Sequence, residues 1–191
     1  NDLSLLCHSY DVYYLVQDLY SELPGSIKMM INKIDMCNSA LLQDIGKSMI
    51  SADILNKPGS LTGAEKEIIK NHAALGSVLL RDTQYEHLAE VIHYHHERID
   101  GEGYYGLHGS DIPIEAKIIA SADTESSLTS DRVYRGRCRV NKACKELLRV
   151  CGTQLDSELT FMFCNALRNI QKVKADGYRI NIELIGPAYA N

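Results

Sequence analysis

No apolar run in these 191 residues approaches the ~18 that a membrane-crossing helix needs. That excludes a membrane span within this segment. Nor is there an excess of basic residues. Lys and Arg number 20 against 25 Asp and Glu, a net charge of −5, with a pI near 5.8. This balance excludes broad binding to duplex nucleic acid but leaves room for a small basic pocket. None of the six cysteines, Cys7, Cys37, Cys138, Cys144, Cys151 and Cys164, forms a Cys-x-x-Cys pair. A chain of this length can build a core without staples, so reduced thiols and a cytoplasmic setting are expected. Neither an initiator methionine nor a signal peptide opens the sequence. The expectation is a domain cut from a longer protein, whose remainder could carry a membrane anchor. Repeats and low-complexity tracts are absent. The glycine-rich stretch 101–109 lacks Gly-Lys-Ser/Thr, which excludes a P-loop.

What is present reads as helices. Leu6, Val12, Leu15, Val16 and Leu19 recur near helical spacing, predicting a helix over 3–22 that ends at Pro24-Gly25. Ile27, Met30, Ile31, Ile34 and Leu41 extend the pattern over 26–42. Lys57-Pro58-Gly59 marks 48–61 as a loop. Thr62-x-x-Glu65 is a capping-box signature opening a helix with Ile68, Ile69 and His72. Gly76 weakens that helix, and a second short one can follow. Further helices are expected at 86–96, 114–129, 140–151 and 157–174, with Gly152 as a stop. Cys144 and Cys151, seven apart, are expected on a core-facing side of the same helix. The whole is an all-α array over 1–175. A tail, 176–191, follows, in which Tyr178 to Leu184 alternate as in a short strand.

The chemistry concentrates in His95-His96-Glu97-Arg98-Ile99-Asp100-Gly101-Glu102-Gly103-Tyr104. Neutral imidazole is the commonest protein metal ligand. Gln43-Asp44-Ile45-Gly46-Lys47 and His72 precede this run, and Asp123 follows it. Such scatter is what a metal site assembled from several helices of one bundle leaves in a sequence. Each residue also has an ordinary reading. His8 could cap or face solvent, and His72, His95 and His96 could be satisfied core histidines. Asp44 could end a helix, Asp123 could be an ion-pair partner, and Lys47 could be solvated. Glu97 and Asp100 are expected to organise the glycine-rich turn. His87, His93 and His108 lack motif support and are expected to be structural or exposed.

From about His8 to Asp156 this ordered series resembles the HD-GYP family, a branch of the HD-domain metal-dependent phosphohydrolases. The resemblance includes Ala40 through Lys47, Ile54-Leu55-Asn56-Lys57-Pro58-Gly59, and Leu61-Thr62. It continues through Ile68-Ile69-Lys70-Asn71-His72, the double-histidine run, and Ala122-Asp123 leading to Leu128-Thr129-Ser130-Asp131-Arg132. It implies an HD-domain helical bundle with long connecting loops and metal-dependent hydrolysis of a cyclic dinucleotide, cyclic di-GMP foremost.

It also implies a ligand set. His72, His95 and His96 would serve one metal, His8 and Asp123 another, and Asp44 would bridge the two. Such a mixed set of nitrogen and oxygen donors suits iron or manganese, one or two per chain. Lys47 would act near the phosphate, and Arg132 and Arg135 would hold the dinucleotide, although a solvated basic loop is the alternative. Five positions depart from the family. Gln43 stands where members have histidine, and Tyr105 where they have proline. Ser126 and Val133 stand where many have aspartate and proline. Ser4 removes the glutamate that supports a third metal in some. These departures keep a second reading open, a degenerate domain that binds a cyclic dinucleotide or a bacterial signalling protein without turnover. A homodimer is the expected assembly if the tail pairs between copies.

Overall fold

The computed structural model describes residues 2–129 and 137–175. Ten α-helices form the described part: α1 (Asp2–Glu22), α2 (Gly25–Lys28), α3 (Lys33–Leu42), α4 (Ala52–Leu55), α5 (Gly63–Lys70), α6 (His72–Leu79), α7 (Ala89–Tyr94), α8 (Ile114–Thr129), α9 (Arg137–Arg149) and α10 (Ser157–Ala175). Among the described residues the only β pairings are two isolated bridges, Asp100 with His108 and Cys151 with Leu155. The fold is all-α, as the apolar spacing anticipates. The strand expected at Tyr178 to Leu184 lies outside the described residues.

One core joins the long helices. Val12, Val16 and Leu19 of α1 meet Met36 and Ala40 of α3, Ile118, Ile119 and Ala122 of α8, and Leu159 and Phe163 of α10. Burying a side chain of this kind contributes about 1.5–3 kcal/mol. These stripes hold α1, α3 and α8 together, and those helices carry or adjoin His8, Asp44 and Asp123.

Local chemistry sets the boundaries. The expected helix over 26–42 is interrupted. Asn32 adopts an extended conformation, and its side chain accepts from the amides of Ile34 and Asp35, restarting the chain as α3. Met30 and Ile34 fit the apolar period across that break but are exposed rather than core residues. The expected loop over 48–61 is partly helical, for a 3-10 turn occupies Ile45–Met49 and Ser51 caps α4. The capping box at Thr62 and Glu65 is present. Gly152 has φ +78°, a conformation glycine reaches without strain, and ends the connection after α9. Cys144 is buried, but Cys151 lies beyond the end of α9 and is half-buried. The shared helical face expected for the two therefore does not form, because α9 stops at Arg149.

Gly46 controls the approach of α6 to the turn after Asp44. A Cβ there would sit 2.0 Å from the His72 carbonyl oxygen and 2.4 Å from the Gly76 nitrogen. Gly76 has its own reason to lack a side chain, since its Cβ would come within 3.0 Å of Ile92 Cγ2. Gly46→Ala should therefore push His72 away from Asp44. The expected cost is about 1–3 kcal/mol of stability, read by denaturant unfolding. Full stability would show that the contact relaxes freely.

Candidate metal centre

Four side chains from separate parts of the sequence converge. Asp44 follows α3, His72 opens α6, and His95 and His96 follow α7. Asp44, His72 and His95 are buried. One donor atom from each of the four lies within 4.8 Å of every other.

Hydrogen bonds orient the imidazoles. His72 Nδ1 lies 2.7 Å from the Ile69 carbonyl oxygen, and His95 Nδ1 lies 2.7 Å from that of Ile92. A carbonyl oxygen only accepts, so both Nδ1 atoms are assigned the proton. Burial lowers the His72 pKa to about 4 and shifts that of His95 in the same direction. Burial also holds His96 well below the ordinary histidine range. At neutral pH the rings are neutral, and each Nε2 of His72 and His95 carries a lone pair. Those two atoms are 3.4 Å apart, and Asp44 Oδ1 is 3.3 Å from His72 Nε2. Three acceptors thus face one another with no proton between them. A cation resolves this conflict, and imidazole with carboxylate is a donor set for a divalent transition metal. The residues fit a metal, and the backbone bonds to Nδ1 would serve as outer contacts orienting both histidines towards it.

Lys47 donates to Asp44 Oδ2 at 2.8 Å. Burial alone would raise the Asp44 carboxyl pKa. The nearby Lys47 charge and its hydrogen bond outweigh burial and hold the carboxyl below its ordinary value.

A second group adjoins the first. His8 Nε2 is 2.8 Å from Asp123 Oδ1 and 3.8 Å from Asp44 Oδ2. Its Nδ1 is 3.0 Å from Ser126 Oγ. The bond to Asp123 raises the His8 pKa despite an opposing contribution from burial. Ser126, marked in the sequence as a lost aspartate, thus contacts the His8 ring. Gln43 is buried beside Asp44. Among the described residues neither its amide oxygen nor its amide nitrogen has a hydrogen-bond partner. Arg132 and Arg135 lie outside the described residues.

The glycine-rich turn packs against this centre. Glu97 accepts from the amides of Tyr105 at 2.6 Å and Leu107 at 2.7 Å. Gly103 permits the fold-back, because a Cβ there would meet the Glu97 Cα at 2.7 Å. Asp100 pairs with Arg98 and accepts from the Glu102 amide. The organising roles expected for Glu97 and Asp100 are therefore present. His93 stacks on Tyr105 with ring centroids 4.1 Å apart, and His87 pairs with Asp35.

Tyr104 is the residue that sequence reasoning passed over. Its ring lies 4.7 Å from that of His96, and its edge contact with His72 is 6.3 Å. Burial, with the negative charges of Asp123 and Asp44, pushes its phenol pKa to about 12. The hydroxyl stays protonated near neutral pH and can only be a neutral donor or acceptor there. Its place directly after Gly103 in the double-histidine run was the available signal.

The family profile described as "HD domain" matches residues 28–159. The chain belongs to the HD-domain family. Its relatives support an HD domain of the HD-GYP type. A cyclic di-GMP phosphodiesterase of Thermotoga maritima is 33% identical over 182 residues, covering 93% of this chain and 48% of the relative. The 3'3'-cGAMP-specific phosphodiesterase 3 of Vibrio cholerae is 36% identical over 129 residues, covering 66% of this chain and 28% of that protein. This HD domain therefore spans less than half the length of either relative. The HD domain of the Listeria monocytogenes (L. monocytogenes) phosphodiesterase PgpH, solved with cyclic-di-AMP, shares the fold. It has a TM-score of 0.64 and 15% identity, with 93% of each chain covered.

The buried imidazoles set a pH dependence. His72 titrates near 4 in the fold and near 6.5 when unfolded. Between those values the unfolded chain binds more protons, so stability falls as pH falls. His95 and His96 act in the same direction, while the raised His8 opposes them. Metal-free HD domain is expected to hold full imidazole-linked stability above pH ~6.5 and lose it progressively towards pH ~4. Urea unfolding at a series of pH values reads this directly. A flat profile over that window would contradict the neutral, buried assignment.

Proposed function

We propose that this HD domain is a metal-dependent phosphodiesterase that hydrolyses a cyclic dinucleotide, with cyclic di-GMP as the first candidate. The convergence of Asp44, His72, His95 and His96 on one point carries the reading. Relatives named for cyclic di-GMP and 3'3'-cGAMP hydrolysis support the substrate class, and the PgpH domain was solved with a cyclic dinucleotide.

In this reading Asp44, His72, His95 and His96 hold one divalent metal, iron or manganese. Asp44, His8 and Asp123 provide a weaker second position beside Gln43. When bound, such a metal supplies Lewis acidity towards a phosphate oxygen and an activated water for in-line attack at phosphorus. The chain's own groups do the rest. Lys47 fixes the Asp44 carboxylate through its 2.8 Å bond and adds positive charge where the phosphorane-like charge develops. Protonated Tyr104 is placed to donate a hydrogen bond from the turn. Arg132 and Arg135 hold the phosphates through guanidinium forks. Ser126 steadies the His8 ring. The domain works in the cytoplasm, where reduced cysteines and a soluble dinucleotide coexist.

The orphaned Gln43 amide favours a second reading, a domain that binds the dinucleotide or a signalling protein without turnover. Anaerobic purification, metal analysis and a product assay distinguish the two. With Mn²⁺ or Fe²⁺ the expected result is a linear dinucleotide from cyclic di-GMP, tested beside 3'3'-cGAMP and cyclic di-AMP. Saturable binding with no product from any of the three would make the domain a sensor.

A further inference from the structure

The turn joining α2 to α3 carries an apolar surface that the metal centre does not use. Met29 is 85% exposed, Met30 69% and Ile34 70%. Single exposed apolar residues are ordinary, but three large ones this close in sequence call for a cover. Lys28 Nζ donates to the Ser21 carbonyl oxygen at 2.9 Å, folding this turn against the last turn of α1. At that same turn, Asn169 of α10 donates to Glu22 Oε2 at 3.0 Å. α10 runs on only to Ala175, about 9 Å further along its axis. The helix leading into residues 176–191 and the turn carrying Met29 and Met30 thus both meet the last turn of α1.

Those residues carry a complementary face. Tyr178, Ile180, Ile182 and Leu184 alternate with Arg179, Asn181 and Glu183, so an extended chain puts all four apolar side chains on one side. An extended chain advances ~3.3 Å per residue, so residues 178–184 can reach ~10–30 Å beyond Ala175. That span takes in the turn that packs on Ser21.

The geometry points to residues 178–184 of the same chain as the cover of Met29, Met30 and Ile34. The tether favours this occupant over a second copy. A short linker holds the segment at an effective concentration of order millimolar, which a separate chain does not reach at ordinary protein concentrations. This interaction is independent of the catalytic reading, since no residue in it belongs to the metal centre.

The test uses the whole 191-residue chain throughout. Three variants are needed: Ile180→Ser with Ile182→Ser in the tail, Met29→Ser with Met30→Ser in the turn, and all four together. Hydrogen exchange over residues 28–36 and the melting temperature are the readouts. The tail variant is expected to speed exchange in that segment about tenfold and lower Tm by about 2–6 °C. Adding the turn substitutions should then change Tm little, because the two faces contribute through one contact. Unchanged exchange in the tail variant, or additive Tm shifts, would overturn the proposal. So would protection that rises with protein concentration alongside a dimer in sedimentation, since that assigns the surface to a second copy.

Discussion

Asp44→Asn should all but abolish metal binding while leaving the fold intact. The substitution keeps the size of a side chain that is 3% exposed and removes its charge. In the native site the His72 Nε2 lies 3.3 Å from Asp44 Oδ1 and 3.4 Å from His95 Nε2, three acceptors side by side. An asparagine amide nitrogen at that position can donate to the His72 Nε2. The acceptor conflict that makes the site want a cation then disappears. Metal affinity is expected to fall by more than about 100-fold, beyond the range typical of losing an outer-shell contact. Any hydrolysis of cyclic di-GMP should fall with it. The metal-free variant should melt at or slightly above the native temperature, with the remaining amide oxygen still accepting from Lys47 in the place of Asp44 Oδ2. Metal analysis, product assay and calorimetry on one preparation check all three. A variant that still holds a full metal complement would remove Asp44 from the centre.

Gln43→His should raise the metal content towards two per chain from about one. The unmodified amide is buried and partnerless among the described residues. An unsatisfied buried amide costs about 1–3 kcal/mol, which the domain tolerates in place of a stronger ligand. An amide oxygen is a poorer transition-metal donor than imidazole, so the position beside His8 and Asp123 should fill weakly. Gln43→Met provides the control. It removes both orphaned polar atoms at similar volume and should stabilise the metal-free domain by about 1–3 kcal/mol. Two tightly held metals in the unmodified protein, or metal loss in Gln43→Met, would show that the amide already serves as a ligand.

The periodic helices were legible because one side of each meets the core. Val12, Val16 and Leu19 on α1, and Ile118, Ile119 and Ala122 on α8, are all buried, so their spacing reported true packing. The same rule failed at 26–42. There Met30 and Ile34 matched the helical period yet face outward, and Asn32 broke the helix between them. Apolar spacing cannot tell a core stripe from a surface patch. Gly76 was read as a weakness within a helix, whereas it permits close packing by Ile92 and Ile45. That reason lies in residues distant along the chain.

For the site, residue types along the chain supplied the candidates: the histidines, Asp44 and Asp123, the departure at Gln43, and the helices that carry or adjoin them. Donor chemistry and helical period are local properties of the chain. Which nitrogen of His72 and His95 faces inward follows from packing, because the Ile69 and Ile92 carbonyls each claim the other one. Only burial decided that these rings remain neutral at physiological pH. It also placed Tyr104 against His96 and left Gln43 without a partner among the described residues. Protonation and coordination depend on distances and dielectric surroundings between residues far apart in sequence, and those distances exist only once the helices have packed.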